Sequence, residues 1–144
     1  MKNYIVDASI ILKWVLGDEK EPDHNIAMGI LNAWEQGYAE ILAPTLWKYE
    51  VGNFLGRALN NEASEKMGIL LDLNIKSIEL TDKMFQHCFL WMKHNSVTFY
   101  DAAYLAAAIE SGGTLITADE KFVNKMKRSG DIFLLRDLNF LSDF

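Results

Sequence analysis

The sequence lacks several features that would place it in familiar protein classes. Cys88 is its single cysteine, so no disulfide can form within the chain, and a reducing interior is expected. Its apolar runs are short, and none approaches the roughly 20 residues that a membrane-spanning helix needs. The three histidines show no zinc-ligand spacing. These absences argue against a disulfide scaffold, a membrane protein and a zinc domain.

Positive charge is also scarce. The chain has 14 Lys and Arg against 20 Asp and Glu, which leaves a net charge of -6. This balance argues against nonspecific binding to nucleic acid through a broad basic surface, but it does not exclude a nucleic acid held through metal ions. The apolar start resembles a signal segment, yet Asp7, Lys13 and Asp18 interrupt it and no cleavage site follows. A cytoplasmic protein is expected.

Short apolar segments alternate with helical patterns along the 144 residues, a length that suits one domain over 1–144. Ser9 is predicted to cap the first helix, and Pro44 to lie in the first turn of the third. The predicted strands are 3–7, 41–43, 76–80, 114–117 and 132–135. The predicted helices are 9–16, 24–36, 44–59, 64–73, 82–94, 98–111 and 119–129.

This alternation predicts an α/β fold. Five strands separated by helices indicate a central five-stranded parallel sheet with both faces covered, a three-layer α/β/α sandwich. In such sheets, ligands bind beyond the carboxyl ends of the strands, where the strand order reverses. Asp7 and Asp119 each follow a predicted strand. If the first and fourth strands are neighbours, the two acids meet at that position.

Four acids stand where a carboxylate is unfavourable. Asp7 ends the first strand, Glu50 interrupts an apolar helix face, Asp101 opens an alanine-rich helix and Asp119 follows the fourth strand. Carboxylates that converge repel one another, and burial strengthens that effect. Hard divalent cations relieve it, so a Mg²⁺ or Mn²⁺ site is the first functional hypothesis.

Each of these acids also has a purely structural explanation. Asp7 and Asp119 can cap the helices that follow them, and Asp101 occupies the last position of a capping box. Glu50 shares a helix face with apolar neighbours, where Arg57, two turns along, can pair with it. Taken singly, the acids therefore do not define a site.

Four motifs carry the acids in order along the chain. They are VDAS at 6–9, PTLWKYEVGN at 44–53, TFYDAAYLA at 98–106 and LITAD at 115–119. In this combination, the chain resembles the PIN-domain ribonucleases, particularly the VapC-like toxins of bacterial and archaeal toxin–antitoxin pairs. The resemblance extends from Tyr4 to about Leu135.

The resemblance implies an α/β/α fold and a Mg²⁺- or Mn²⁺-dependent site that cleaves RNA. By that resemblance, the catalytic and metal-binding residues are Asp7, Glu50, Asp101 and Asp119. Ser9 and Thr117 match residues that line such sites.

The resemblance also implies partners. VapC-like proteins usually form homodimers, and an antitoxin tail, often with an arginine, covers their acidic site. An apolar groove beside the site is expected on the helices at 44–59 and 64–73. Its candidate residues are Trp47, Leu55, Leu59, Ile69 and Leu70.

Other functional classes are compatible with the residues. An RNA-processing nuclease that is not a toxin, or a catalytically silent binding module, can retain the same acids. A phosphoacceptor receiver domain fits poorly, because it has adjacent acids after its first strand and a lysine after its fifth. Here Asp7 is followed by Ala8, and Arg136 follows the fifth strand.

Overall fold

The computed structural model describes residues 2–18 and 22–138, which fold into five parallel strands and their connecting helices. The strands are β1 (Lys2–Val6), β2 (Ala39–Pro44), β3 (Lys76–Ile78), β4 (Thr114–Thr117) and β5 (Ile132–Leu134). The helices are α1 (Ala8–Leu16), α2 (Pro22–Glu35), α3 (Trp47–Ala58), α4 (Ala63–Asp72), α5 (Asp82–Asn95), α6 (Phe99–Ser111) and α7 (Glu120–Met126), and a short 3-10 turn at Leu135–Asp137 follows β5.

The sheet has the order β3-β2-β1-β4-β5, and each neighbouring pair is parallel. The chain builds outward from β1 to β3, then returns to place β4 on the other side of β1. The strand order therefore reverses between β1 and β4, as at the ligand-binding position of open parallel sheets. Val6 pairs with Ile116, so Asp7 and Thr117 follow side by side. The first and fourth strands are thus neighbours, which is the condition under which Asp7 and Asp119 were expected to meet.

Helices cover both faces of this sheet. Successive residues of a strand point to opposite faces, and Ile5, Val6, Leu115 and Ile116 are each exposed by 1 % or less. The helix α6 contacts β1, β2, β4 and α5, while α2 contacts β2 and α1. The predicted fold class, a three-layer α/β/α sandwich around a five-stranded parallel sheet, is confirmed.

The core also contains the cysteine and most of the tryptophans. Cys88 of α5 is fully buried, as its apolar neighbours predict, and burial raises the pKa of its thiol to about 11. It therefore stays protonated near neutral pH and packs as a small apolar side chain. Trp14, Trp47 and Trp91 are buried as well, whereas Trp34 is partly exposed.

The helix α6 carries its acidic motif into the centre of the fold. Thr98 caps it, because the Thr98 Oγ1 accepts a hydrogen bond from the backbone N–H of Asp101 at 3.2 Å. The helix ends at Gly112, whose φ of 68° is a left-handed conformation that glycine adopts without strain. Small side chains let it lie close to the sheet, and its buried residues include Ala102, Ala103, Ala106, Ala107 and Ala108.

Both prolines differ from their predicted positions. Pro44 ends β2, opposite Ile78 of β3, and α3 begins three residues later, at Trp47. Its missing N–H is tolerated at the end of the strand. Pro22 begins α2, two residues before the predicted start, at the first helical position that proline favours. The rest of the predicted loop at 17–22 lies partly outside the described residues.

Candidate active site

The carboxyl end of β1 holds Asp7 between two hydroxyl groups. Ser9 Oγ donates to Asp7 Oδ1 at 2.5 Å, and Thr117 Oγ1 donates to Asp7 Oδ2. Ser9 Oγ accepts from the N–H of Ala118 at 3.1 Å, and Thr117 Oγ1 accepts from the N–H of Asp119 at 3.1 Å. Both oxygens of Asp7 are thus tied to the end of β4, through the pairing of β1 with β4.

Asp7 also caps α1, since its Oδ1 accepts from the N–H of Ile10 at 3.3 Å. The prediction that Ser9 is the cap was wrong, because Ser9 lies inside the first turn and donates its hydroxyl to Asp7. Burial raises the pKa of Asp7 to about 6, and the charge of Asp101 adds to the rise against the hydrogen bonds from Ser9, Thr117 and Ile10. A nearby cation would favour the ionised form.

The carboxyl group of Glu50 enters the site from α3. The Tyr104 hydroxyl of α6 donates to Glu50 Oε1 at 2.6 Å, and Tyr104 is otherwise buried. Burial raises the pKa of Glu50 against this hydrogen bond, and the charge of Asp101 raises it further. Burial and the contact with Glu50 also raise the pKa of Tyr104 well above its usual range. The hydroxyl therefore keeps its proton and keeps donating it.

The pairing of Glu50 with Arg57 is not formed. Among residues 2–18 and 22–138, no carboxylate oxygen lies within 4.0 Å of the Arg57 guanidinium. The Tyr104 hydroxyl is the partner of Glu50 instead, and it comes from another helix. The buried face of α3 is made by Trp47, Val51 and Leu55, so Glu50 borders the core and does not lie within it.

Asp101 and Asp119 stand at the starts of α6 and α7. Asp119 is the predicted cap, because its Oδ1 accepts from the N–H of Phe122 at 3.1 Å. Burial raises the pKa of Asp101, and the negative charge of Asp119 raises it further. The cap engages one carboxylate oxygen of Asp119, so a capping role and a metal-binding role are compatible.

The structure brings all four acids to one pocket of about 920 Å³. Ser9 also lines this pocket, while Thr117 is fully buried and reaches Asp7 from β4. The negative charge of Asp101 acts on two other acids of the site, since it raises the pKa of both Asp7 and Glu50. Acids from four separate segments of the chain therefore act on one another.

The donor set of the pocket fits a hard divalent cation. Carboxylate and hydroxyl oxygens are ligands that Mg²⁺ and Mn²⁺ prefer, and three of the acids have raised pKa values. Within the described part of the chain, no three acidic, histidine or cysteine side chains are close enough to form a ready-made metal cluster. The acids share a pocket without forming such a cluster.

The apolar groove predicted on α3 and α4 is largely wrong. Trp47, Leu55 and Leu70 are exposed by 1 % or less, so they belong to the core. They face inward because the core needs one apolar row from each helix. Leu59 is partly buried, and Ile69 is 50 % exposed.

The prediction missed two kinds of residue at the site. Tyr104 lies three residues after Asp101, a spacing that places both on one side of α6 and was visible in the sequence. Tyr49, Phe54 and Tyr100 line the mouth of the pocket. Nothing in the local pattern distinguishes these exposed aromatic side chains from core residues.

Comparison with known proteins agrees with the geometry. The sequence profile of the family described as PIN domain matches residues 4–127, which is most of the chain. The chain belongs to the PIN domain family. No curated protein matches it significantly.

The fold of this PIN domain is similar to several solved structures. PAE2754 from Pyrobaculum aerophilum is 24 % identical with a TM-score of 0.61, and the match covers 93 % of this chain and 91 % of that one. VapBC2 from Rickettsia felis, bound to a DNA fragment from its promoter, is 13 % identical with a TM-score of 0.69 over 92 % and 98 % of the two chains. VapC20 from Mycobacterium tuberculosis, a toxin that cleaves the sarcin–ricin loop, is 19 % identical with a TM-score of 0.62 over 84 % and 93 %. At these identities, the likeness shows the fold alone.

Within the described residues, no helix of this PIN domain is both long enough and apolar enough to cross a bilayer.

Proposed function

We propose that this PIN domain is a metal-dependent nuclease that hydrolyses phosphodiester bonds of RNA. The observation that carries the proposal is the meeting of Asp7, Glu50, Asp101 and Asp119 in one pocket where the strand order reverses. Family membership supports a nuclease. The donor chemistry supports Mg²⁺ or Mn²⁺ as the cofactor, and the resemblance of the four motifs to PIN-domain ribonucleases supports RNA as the substrate.

The four acids are the proposed catalytic and metal-binding residues. They would hold a divalent ion, which would supply charge neutralisation of the phosphate and activation of a water molecule. Asp7, Asp101 and Asp119 are the proposed nearer ligands, and Glu50 completes the acidic set. Their carboxylates would otherwise repel an anionic substrate, which is consistent with a requirement for the cation.

Other residues of the chain hold these carboxylates in place. Ser9 and Thr117 restrain the two oxygens of Asp7, and both hydroxyls are anchored by backbone N–H groups. Tyr104 orients Glu50 through a hydrogen bond of 2.6 Å. Groups that orient metal ligands in this way commonly affect affinity or activity by about 10–100-fold.

The test is cleavage of labelled RNA by the purified chain in Mg²⁺, Mn²⁺ or EDTA. Cleavage is expected only with a divalent ion, and it should be lost in Asp101→Asn. Cleavage that persists in EDTA, or that is equal in the variant, contradicts the proposal. Metal binding without cleavage of any RNA would instead favour the catalytically silent binding module.

The proposed cellular role is that of the toxin of a toxin–antitoxin pair. Solved structures with this fold include VapBC2 and a toxin–antitoxin complex from Klebsiella pneumoniae, with TM-scores of 0.69 and 0.65. The acidic pocket suits a cationic side chain, such as an arginine from an antitoxin tail. A homodimer and a cytoplasmic location are further parts of this proposal.

Two measurements test the role separately from the chemistry. Expression of the chain should stop growth, and co-expression of the protein encoded next to it should restore growth. Harmless expression of an active nuclease would favour an RNA-processing enzyme. Light scattering of the isolated chain should give the mass of a dimer.

A further inference from the structure

Aromatic side chains border the mouth of the acidic pocket. Tyr49 and Phe54 of α3 and Tyr100 of α6 all line it, and they are 75 %, 44 % and 59 % exposed. Exposed aromatic rings beside a functional pocket offer a flat contact surface to a partner, because the ring is apolar and loses little conformational entropy when it binds.

The helix α3 arranges these groups in two adjacent rows. Tyr49, Asn53 and Arg57 recur at four-residue spacing, and Glu50 and Phe54 form the neighbouring row. Residues four apart share a helix face, and eight residues extend about 12 Å along the axis. The wall of the pocket therefore changes from a carboxylate near one end, through an aromatic ring, to a guanidinium at the other.

The charge of the pocket limits how it can hold a nucleic acid. Four acids line it, and Arg57 is the one basic residue among the described residues that do so. The net charge of -6 also provides no broad attraction for phosphates. Apart from attraction to a bound cation and to Arg57, affinity must then come from contacts that do not depend on charge. Stacking of bases on aromatic rings is such a contact, and it tolerates any sequence.

We propose that Tyr49, Phe54 and Tyr100 form a base-stacking subsite for unpaired RNA nucleotides beside the acidic site, and that Arg57 contacts a backbone phosphate at its far end. The inference rests on the proposed nuclease function and assigns the residues that would hold unpaired nucleotides beside the acids. Bases inside a duplex are already stacked and paired, so only unpaired bases present a face to these rings. The subsite selects strand state without selecting sequence.

The first experiment measures binding in Mg²⁺ on the Asp101→Asn background, so that a cation can offset the remaining acids while cleavage is prevented, and this background is the reference for each ring variant. Fluorescence anisotropy gives the Kd of the full chain for a labelled single-stranded oligoadenylate. Tyr49→Ala, Phe54→Ala and Tyr100→Ala should each raise that Kd by at least about fivefold. Tyr49→Phe and Tyr100→Phe should bind as the reference does, because the ring carries the contact. Tyr38→Ala is the matched control, since Tyr38 is 66 % exposed and lies outside the pocket.

The probes separate stacking from other contacts. An abasic strand of equal length should bind the reference weakly and should be insensitive to Phe54→Ala, and a blunt RNA duplex should behave likewise. Arg57→Gln should lower the slope of log affinity against log salt by about 0.7, the value for one phosphate contact on a single strand. The alanine variants of the rings should leave that slope unchanged.

The outcomes distinguish this inference from the nuclease proposal. Equal binding of the oligoadenylate by the reference and the ring variants, or equal binding of duplex and single strand, overturns the subsite. Cleavage by wild type with unaltered KM in the ring variants overturns the subsite and retains the nuclease. Ring-dependent binding without cleavage under any metal condition retains the subsite and removes the nuclease. Loss of antitoxin binding alone in the ring variants would assign the rim to a protein partner and overturn the subsite. Circular dichroism checks that each variant is folded.

Discussion

The two walls of the acidic pocket are built in opposite ways. At the sheet edge, Asp7 is held by hydroxyl groups that are themselves anchored to the backbone. On α3, the side chains of Tyr49, Phe54 and Arg57 extend from an exposed helix face. At the sheet edge, hydrogen bonds hold individual carboxylate oxygens in place, whereas α3 presents exposed side chains that a substrate can contact. Chemistry and substrate recognition are therefore expected to respond to different substitutions.

The two walls also support their carboxylates unequally. Asp7 receives hydrogen bonds from Ser9, Thr117 and a backbone N–H, while Glu50 receives a hydrogen bond from Tyr104. Loss of one partner at the sheet edge disturbs several linked contacts, because Thr117 also binds the backbone of Asp119. Loss of the Tyr104 hydroxyl removes its hydrogen bond to Glu50 and its contact with the backbone of Ala8, so one carboxylate loses a partner. The following predictions test this inequality.

The largest effect is expected for Asp7→Asn. The substitution removes the charge that a metal ion requires at the sheet edge, so kcat should fall by more than about 100-fold, beyond the effect of losing an outer partner. Single-turnover cleavage at saturating Mg²⁺ measures it. Asp72→Asn, an exposed aspartate outside the pocket, should retain wild-type activity, and a small effect of Asp7→Asn would refute the assignment of this wall.

Thr117→Val should lower kcat by about 10–100-fold, because it removes the donor to Asp7 and the acceptor for Asp119 at nearly constant volume. Thr117→Ser keeps the hydroxyl and should remain close to wild type. If the valine and serine variants lose activity equally, the packing of the threonine methyl is responsible, and the hydrogen bonds are not.

The same wall predicts a dependence of stability on pH. Burial raises the pKa of Asp7 from 3.8 to about 6, so in metal-free buffer the folded state binds more protons than the unfolded state between these values. Wild-type stability should therefore fall as the pH rises through this interval and stay lower above it. Asp7→Asn removes the ionisable group and keeps a capping side chain. Thermal unfolding in EDTA at pH 7 should show the variant to be more stable by up to roughly 3 kcal/mol, and a variant less stable than wild type would show that the hydrogen bonds outweigh the charge.

The smallest effect is expected on the helical wall. Tyr104→Phe removes the hydroxyl that orients Glu50, so kcat should fall by about tenfold, the low end of the range for groups that orient metal ligands. KM should be unchanged because Tyr104 is buried. A loss equal to that of Thr117→Val would remove the proposed inequality between the walls.

Much of the fold was predictable because it depends on local patterns. Apolar runs predicted the five strands, and Thr98 and Asp119 were correctly identified at helix starts. The errors at Pro44 and Ser9 arose where two local explanations competed. Proline suits both a strand end and a first helical turn, so its presence alone does not separate the two. Asp7 and Ser9 can both cap α1, and Asp7 is the cap, while Ser9 donates its hydroxyl to Asp7.

The fold class, the family motifs and the identity of the four acids could be predicted without coordinates, because hydrophobic periodicity and residue order are properties of short segments. The hydrogen-bond partner of each acid, by contrast, depends on the tertiary structure. Thr117 meets Asp7 across 110 residues, and Tyr104 meets Glu50 across 54. Such pairs follow from the pairing of β1 with β4 and from the packing that places α3 and α6 at one pocket. The same packing decides which faces of α3 are buried and which open to the pocket, because burial depends on neighbours that are distant in the chain.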